Sequence, residues 1–341
     1  MSWKASGRIE QAPQAYQAQA SEGIWVVRTL TGLAACAESD DTLRWHLELD
    51  RAHAVVGPKL LALVSDLAVT VEDFGSRAPA RVVAVHAQHG NPRWTTALPI
   101  QVSTFGLDVL DDQVLVHGRA ENPRQSAIYR LDATSGEIRA VTYAVAGNGL
   151  RVVGKRALVP TSEGLFVLRT DRDALECVTR TATRGLFTRG RDAYFIEYDG
   201  ADGAPRAVVH WDTQLARECG RFSDAPAIRQ ATLLIPLEER GHVLVVGELR
   251  SDIVDVGAAQ VVAPIQTPPD TVVVSAVVTT HGLVALLSDS SMVRSVVTLD
   301  ARSGEVGASV PTNRLRRAGL FSNDEHVLVS GKDLEFFGWQ D

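Results

Sequence analysis

The 341-residue chain contains little cysteine, few aromatic residues and almost no lysine. Its three cysteines, Cys36, Cys177 and Cys219, are too few and too scattered for a disulfide framework, so the fold must depend on buried apolar side chains, and we expect a reducing compartment. No run approaches the ~18 consecutive apolar residues of a membrane helix, and the first residues, MSWKASGRIEQ, lack the apolar core of a secretory signal. The sequence therefore predicts a cytoplasmic protein without a membrane segment.

Positive charge is scarce for a protein that binds nucleic acid. The chain has 34 Lys and Arg residues against 41 Asp and Glu residues, a formal net charge of −7. Because a net negative chain has no general attraction for phosphate backbones, we expect no nucleic-acid partner. Hydrophobic residues (45%) and charged residues (22%) occur in the proportions of a globular protein, which excludes collagen-like and disordered chains.

What the sequence does contain is an internal repeat. Residues 131–140 (LDATSGEIRA) and 299–308 (LDARSGEVGA) share Asp, Ala, Ser, Gly and Glu at identical spacing, and residues 32–49 align without a gap on 81–98. Each copy is an apolar run, a polar turn and a second apolar run, a pattern typical of a β-hairpin. Two more apolar runs precede each copy, so one repeat contains four strands, which we name A to D. No stretch has a sustained 3.6-residue apolar period, so we expect very little helix.

A four-stranded unit that recurs every 40–45 residues or so is typical of a β-propeller blade. The sequence therefore predicts an all-β fold and a single domain of eight four-stranded blades, the last closed by an N-terminal strand, which avoids the exposed edges of an open array. The predicted blades are residues 18–49, 55–99, 104–144, 148–180, 185–223, 227–265, 272–311, and 317–341 together with 6–14. A seven-bladed ring, with residues 1 to about 20 as a disordered tail, stays open as the alternative.

The repeat motif also resembles a known family. Leu-Asp-Ala-x-Ser-Gly-Glu at 131–137 and 299–305, with Trp45 and Trp94 after the corresponding turns, is similar to the repeats of quinoprotein-like (pyrroloquinoline-quinone-type) propellers. That family has eight blades and includes exported dehydrogenases with adjacent cysteines and calcium-binding carboxylates, an outer-membrane assembly lipoprotein, and cofactor-free cytoplasmic proteins. The chain has no adjacent cysteines, no export signal and no Cys after an N-terminal apolar stretch, so the resemblance implies the cofactor-free cytoplasmic group.

Three short motifs that could carry chemistry favour structural roles instead. Gly149–Lys155 matches part of a phosphate-binding loop, but Arg156 follows where a magnesium-binding Ser or Thr should be, and no helix follows. The pair His86 and His89 and the fragment 210–212 (His-Trp-Asp) lack the further ligands that zinc needs. We predict no catalytic residue, no metal and no cofactor.

The connections between strands B and C and between strands D and A are the candidate binding site. In a propeller they emerge on one face, several are long and polar, and loops on a rigid scaffold commonly carry recognition. The predicted partner-binding residues are Arg77, Arg119, Asn122, Arg124, Arg184, Asp199, Asp202, Arg314, Arg316 and Arg317.

The functional hypothesis is a monomeric, non-enzymatic scaffold, a subunit or adaptor of a multi-protein assembly. It would bind an acidic or polar segment of another protein through these arginine-bearing connections. The alternative is an enzyme or sensor that holds a small ligand in the axial channel of the propeller, because such channels are concave.

Overall fold

The computed structural model describes residues 2–9, 15–29, 31–37, 42–49, 60–72, 79–99, 104–119, 125–145, 147, 149–199, 203–223, 228–289, 292–315, 319–323, 326–331 and 333–340. In these residues the chain forms 32 strands and one short 3-10 helix, Ile228–Gln230. The strands form eight four-stranded sheets, and the chain divides into two compact units, residues 15–186 and residues 1–14 with 187–341. The described part contains no helix that is long and apolar enough to cross a bilayer.

The first strand, β1 (Ser2–Ile9), belongs to the last sheet, and the next sixteen form sheets 1 to 4 of the unit 15–186. Sheet 1 contains β2 (Ala15–Ser21), β3 (Ile24–Thr29), β4 (Gly32–Ala37) and β5 (Leu43–Glu48). Sheet 2 contains β6 (Leu61–Val64), β7 (Leu67–Glu72), β8 (Arg81–His86) and β9 (Pro92–Ala97). Sheet 3 contains β10 (Thr104–Leu110), β11 (Gln113–Arg119), β12 (Gln125–Asp132) and β13 (Ile138–Val145). Sheet 4 contains β14 (Arg151–Val153), β15 (Arg156–Thr161), β16 (Gly164–Arg169) and β17 (Ala174–Thr179).

Sheet 5 begins at the boundary between the units, and sheets 6 to 8 lie wholly in the other unit. Sheet 5 contains β18 (Thr183–Arg189), β19 (Asp192–Tyr198), β20 (Pro205–Asp212) and β21 (Arg217–Phe222). Sheet 6 contains β22 (Ala231–Pro236), β23 (His242–Gly247), β24 (Ser251–Asp255) and β25 (Gln260–Pro264). Sheet 7 contains β26 (Val272–Thr279), β27 (Gly282–Ser288), β28 (Val293–Leu299) and β29 (Val306–Leu315). Sheet 8 contains β30 (Gly319–Ser322), β31 (His326–Ser330), β32 (Leu334–Gln340) and β1.

Strands B and C are buried on both faces, since successive side chains along a strand point to opposite faces and both sets are buried. Every residue of β3, β4 and β7 is buried, whereas the D strands β5 and β9 alternate between exposed and half-buried positions. Val69 and Val71 of sheet 2 share one apolar cluster with Val114 and Val116 of sheet 3. Burial on both faces explains why the apolar runs of the sequence do not alternate with polar residues.

The turn between strands C and D packs against strand D of the preceding sheet. The Trp45 indole Nε1 donates a hydrogen bond to the Ala87 carbonyl (2.9 Å), and the Trp94 Nε1 donates one to the Ala133 carbonyl (2.9 Å). Gly136 has φ +73°, and a Cβ there would lie 2.5 Å from the Trp94 ring. The glycine of the Ser-Gly repeat therefore leaves space for the preceding tryptophan.

The second copy of the motif makes the same contact without a tryptophan. The Gly304 carbonyl accepts a hydrogen bond from the Gln266 amide (2.9 Å), and a Cβ on Gly304 would lie 2.1 Å from the Pro264 carbonyl oxygen. The glycine is thus required at both copies, because either a ring or a backbone segment approaches it closely.

The N-terminal strand closes sheet 8. β1 pairs antiparallel with β32, from Ser2 opposite Gln340 to Ile9 opposite Leu334, and the Arg8 guanidinium forms ion pairs with Glu335 (2.5 Å) and Asp333 (3.4 Å). The predicted eight four-stranded sheets and the N-terminal closing strand are confirmed. The seven-bladed alternative is excluded, because β1 and β2 lie in the segment that it assigns to a tail.

The closing strand begins earlier than predicted, at Ser2 instead of residue 6. In other sheets a turn precedes strand D, and Ser6-Gly7 resembles such a turn in sequence. Here strand D comes from the other end of the chain and needs no turn, so this segment is part of the strand, with a bulge between Ala5 and Gly7. Residues 10–14 of the predicted strand lie outside the described residues.

Candidate functional site

In most sheets the A–B turn is the shortest connection, and the longest connections of the chain lie at the opposite end of the sheets, between strands B and C or between strands D and A. Two residues, Asp111 and Asp112, join β10 to β11, and Gly154 and Lys155 join β14 to β15. By contrast, residues 73–80 join β7 to β8, and residues 49–60 join β5 to β6. The segment that matched part of a phosphate-binding loop is thus a β-hairpin, with Gly154 at φ +58° in its turn.

Four of the predicted partner-binding residues fall within the described chain. Arg119 is the last residue of β11, Arg184 is the second residue of β18, and Arg314 is next to last in β29. The side chains of Arg184 and Asp199 are exposed. The sequence predicted all four in B–C or D–A connections. Asp199 lies in such a connection, whereas the three arginines lie at the ends of the bordering strands.

One charged neighbour of these residues, Arg206, was not predicted from the sequence. The Arg206 guanidinium lies 3.7 Å from the Asp199 carboxylate, and both side chains are exposed. The other six predicted residues lie outside the described residues: Arg77, Asn122, Arg124, Asp202, Arg316 and Arg317. Their role stays a prediction.

At the other end of the sheets, a charged cluster joins the turns of sheets 5 and 6. The Arg240 guanidinium, in the A–B turn of sheet 6, donates hydrogen bonds to Asp192 (2.8 Å from Nη2 and 3.0 Å from Nε) and to Asp212 (2.5 Å). Asp212 is fully buried, and its second oxygen accepts hydrogen bonds from the Gln214 and Leu215 amides. Arg240 thus bridges the first residue of β19 and the last residue of β20.

These contacts keep both carboxylates ionised. Burial would raise the pKa of Asp192, but hydrogen bonds from Arg240 and His210 outweigh burial and hold it below its ordinary value. The Leu215 amide and then Arg240 lower the pKa of Asp212 despite its burial. Hydrogen bonds to the two carboxylates raise the pKa of Arg240.

The fragment 210–212 belongs to this cluster. The His210 ring is buried, lies 2.8 Å from Asp192 through Nε2, and stacks on Tyr194 with 4.6 Å between ring centroids. The Tyr194 hydroxyl accepts a hydrogen bond from the Gly241 amide (3.1 Å), and burial raises the pKa of Tyr194 to about 12. The cluster therefore fixes the turn 237–241 on sheet 5. Sequence reasoning could not assign Arg240 to it, because Arg240 lies one repeat away from Asp192.

A small pocket lies beside this turn, between sheets 6 and 7. Its volume is about 150 Å³, and its apolar walls include Leu237, Val278, Leu283 and Ala301. Its remaining lining residues are Glu238, Glu239, His242, Gly282 and Arg302. No sequence motif indicated this pocket, because its walls come from three turns.

The histidine pair of sheet 2 has a local role. The His86 Nδ1 lies 2.9 Å from the Asp66 carboxylate of the A–B turn of the same sheet, and His89 lines a shallow hollow beside Trp45. Within the described ranges, no three His, Cys, Asp or Glu side chains are grouped so that they could hold a metal ion.

No protein-family model matches the chain, and no curated protein matches it. Solved structures do match. BamB from Moraxella catarrhalis is 13% identical, and the match covers 99% of this chain and 100% of that one at a TM-score of 0.68. The computationally designed Ika8 protein is 12% identical, with coverage of 97% and 98% and a TM-score of 0.73. The Dos1 propeller is 11% identical, with coverage of 98% and 95% and a TM-score of 0.72.

Likeness at this level of identity concerns the fold. The resemblance to quinoprotein-like repeats stays a prediction about the family, and so does membership in its cofactor-free group. Together with the eight four-stranded sheets and the closing N-terminal strand, the structural matches show that the chain folds as an eight-bladed β-propeller.

Proposed function

We propose that the protein is a non-enzymatic scaffold for protein–protein interaction, acting as a subunit or adaptor of a multi-protein assembly. The B–C and D–A connections present several arginines and bind an acidic or polar segment of the partner. The observation that carries this proposal is the contrast between the two-residue A–B turns of most sheets and the longest connections of the chain, such as 73–80, at the opposite end. Long polar loops on a rigid scaffold are a common place for recognition.

Exposed charge at the end of the sheets that carries the B–C and D–A connections supports this assignment. At the turn end, Arg240 is engaged by Asp192 and Asp212 and holds the fold together. At the loop end, Arg184 and Asp199 are exposed at strand ends. Solvent-exposed charge on a fixed framework can steer and orient a partner.

The absence of catalysis and a cytoplasmic location are parts of the same proposal. The low cysteine content supports the cytoplasmic location. The lack of a recognisable catalytic motif in the sequence supports the absence of catalysis. The acidic net charge of the chain supports a protein partner in preference to nucleic acid.

The proposal is tested by affinity capture with the full chain and a four-site charge-reversal variant, R119E, R124E, R316E and R317E. We expect a partner that is recovered stoichiometrically with the unaltered chain to be lost, because each reversal places a negative charge against an acidic segment. Quantitative mass spectrometry of the captured proteins measures the loss.

The matched control reverses four exposed arginines on D strands and C–D turns, R44E, R93E, R172E and R217E, and so changes the net charge equally. It should retain the partner. Equal recovery of the partner with both variants, or equal loss of the partner from both, would show that the loop arginines do not select the partner.

A further inference from the structure

The pocket between sheets 6 and 7 has the dimensions of a single side chain. Leu237 and Leu283 are buried in its wall, and Val278 and Ala301 are partly buried. Gly282 has φ +131°, and a Cβ placed on it would meet no atom within 4 Å, so this residue borders open space. An apolar cavity of about this volume holds a benzene-sized group and gives a water molecule few polar partners.

The rim of the pocket is negative. The Glu238 and Glu239 side chains are 61% and 66% exposed, and among the described residues Glu238 forms a long ion pair with Arg189 (3.7 Å). The His242 ring of the lining lies 3.5 Å from Glu239 and 3.6 Å from Asp255. The lining residues themselves carry two carboxylates, Glu238 and Glu239, against one guanidinium, Arg302.

The neighbouring Arg240 does not offset this charge. Although it follows Glu239 in sequence, its guanidinium is directed to Asp192 and Asp212 of sheet 5. The same bonds fix the turn that carries Glu238 and Glu239. The rim is thus held in place before any ligand arrives, which reduces the entropy lost on binding.

We propose that this pocket is a second docking site, which accepts a leucine-sized apolar side chain from a protein segment flanked by lysine or arginine. The apolar group fills the space above Leu237 and Leu283, and the cationic neighbour pairs with Glu238 or Glu239. The site lies at the turn end of sheets 6 and 7 and does not depend on the B–C and D–A connections of the proposed function. Its partner is chemically different, since it is basic and carries an apolar anchor.

The probe is the acetylated and amidated heptapeptide Gly-Ser-Lys-Leu-Lys-Ser-Gly, titrated into the full chain and followed by methyl NMR. We expect saturable shifts of the Leu237, Val278 and Leu283 methyl signals, with a dissociation constant in the millimolar range for one anchor residue. Replacing the leucine by serine, or both lysines by glutamate, should weaken binding roughly fivefold or more.

Two variants place the binding in the pocket. Ala301→Leu fills the cavity, and the double change E238K and E239K reverses the charge of the rim. Each variant should bind the probe more weakly. Ala258→Leu and Glu248→Lys make the same kinds of change at exposed positions of sheet 6 outside the pocket and should bind normally. The rim variant alters only exposed side chains, so it decides the question even if the filled variant fails to fold.

Three results would overturn the proposal. These are shifts that do not saturate, equal binding of the three peptides, or unchanged binding to the rim variant. None of them bears on capture through the loop arginines, so failure here and failure of the proposed function are distinguishable.

Discussion

His117 lies in the interior of sheet 3, with its ring completely buried and packed beside Gly147. Burial lowers its pKa to about 4, and a hydrogen bond with the Gly149 backbone offsets only part of that effect. The folded protein therefore holds this imidazole neutral at pH values at which the unfolded chain protonates it. Between about pH 6.5 and pH 4, stability decreases as the pH falls, by about 1.4 kcal/mol per unit from this group.

Replacing His117 with Gln should remove this dependence. On going from pH 7 to pH 5, we expect the free energy of unfolding to fall by about 2 kcal/mol more in the unaltered chain than in His117→Gln. Urea unfolding of both proteins at both pH values measures the difference. Because the two proteins share all other titrating groups, the comparison isolates the contribution of His117. Equal losses in the two proteins would contradict the assignment.

Arg240 provides a second prediction, which concerns the two acidic side chains that it pairs with. Arg240→Met leaves Asp192 and Asp212 without their shared partner, and we expect it to lower the free energy of unfolding by about 2 kcal/mol at pH 7, a value reduced for the half-exposed guanidinium. Because the folded pKa values of both carboxyls are lowered, their stabilising contribution is present above about pH 4 and is lost as the pH falls through the folded values.

The measurement is chemical unfolding of both proteins from pH 7 downward. The difference in the free energy of unfolding between the unaltered chain and Arg240→Met should become smaller below about pH 4. Arg172→Met is the control, because Arg172 is largely exposed and contacts only Asp171 at 3.6 Å in the ion pairs of the described residues. A similar loss in the control would mean that the effect is not specific to the cluster.

At the scale of single residues, the sequence predicted few of the contacts that the structure contains. It placed Arg119 and Arg184 in connections, whereas both lie within the bordering strands, because apolar runs do not mark the polar residues at the end of a strand. It could not connect Arg240 to Asp192, since a turn residue gives no sign of which neighbouring sheet it faces. It could not indicate the pocket either, because Leu237 and Leu283 look like ordinary strand-end core residues.

At the scale of the elements, the contact between strand D of one sheet and the C–D turn of the next sheet can be tested directly. Gly136→Ala should be destabilising by about 2 kcal/mol or more, because φ is +73° and the new Cβ would lie 2.5 Å from the Trp94 ring. In a Trp94→Ala background the clash with the ring is gone. The cost of Gly136→Ala should then be smaller, with a coupling of about 1 kcal/mol.

A double-mutant cycle by thermal or urea unfolding measures this coupling. Gly154→Ala is a matched control, because Gly154 also has positive φ (+58°), but a Cβ added there would meet no atom within 4 Å. It reports the backbone strain without the clash. Additive effects at Trp94 and Gly136 would show that the ring does not rest on the glycine.

The closing strand β1 is the second element with a clear expectation. Deleting residues 1–14 exposes the edge of β32, whose Leu334, Phe336 and Phe337 are buried. The loss of the β1 ladder should cost roughly 4 kcal/mol, and the melting temperature should fall by roughly 6 °C. Calorimetry measures the shift, and an unchanged melting temperature would show that β1 does not stabilise the fold.

The elements were far more predictable than the site. A buried strand between two neighbouring sheets must be apolar on both faces, so β8 and β23 stand out as runs. The Ser-Gly turns recur because Gly136 and Gly304 are each approached closely from the preceding sheet. The start of β1 escaped prediction because a strand that arrives from the far end of the chain carries no turn to mark it.

At the scale of the molecule, seven sheets are built from consecutive strands, and one joins the two ends of the chain. Pairing of consecutive strands closes only short loops, whereas pairing of β1 with β32 brings together residues more than 300 positions apart. Loop-closure entropy makes the second kind of contact slower to form. Only sheet 8 depends on this long-range pairing.

The pairing of Ser2 with Gln340 also makes the starting point of the chain interchangeable. A circular permutant that begins at Ala15 and carries residues 2–14 after Gln340, joined by a linker of about four residues, would turn β32 and β1 into an ordinary hairpin. We expect it to melt close to the unaltered chain and to refold faster, although the same residues removed outright are destabilising. Stopped-flow refolding and calorimetry of the permutant measure both properties. Failure of the permutant to regain the stability lost on deletion would contradict the pairing.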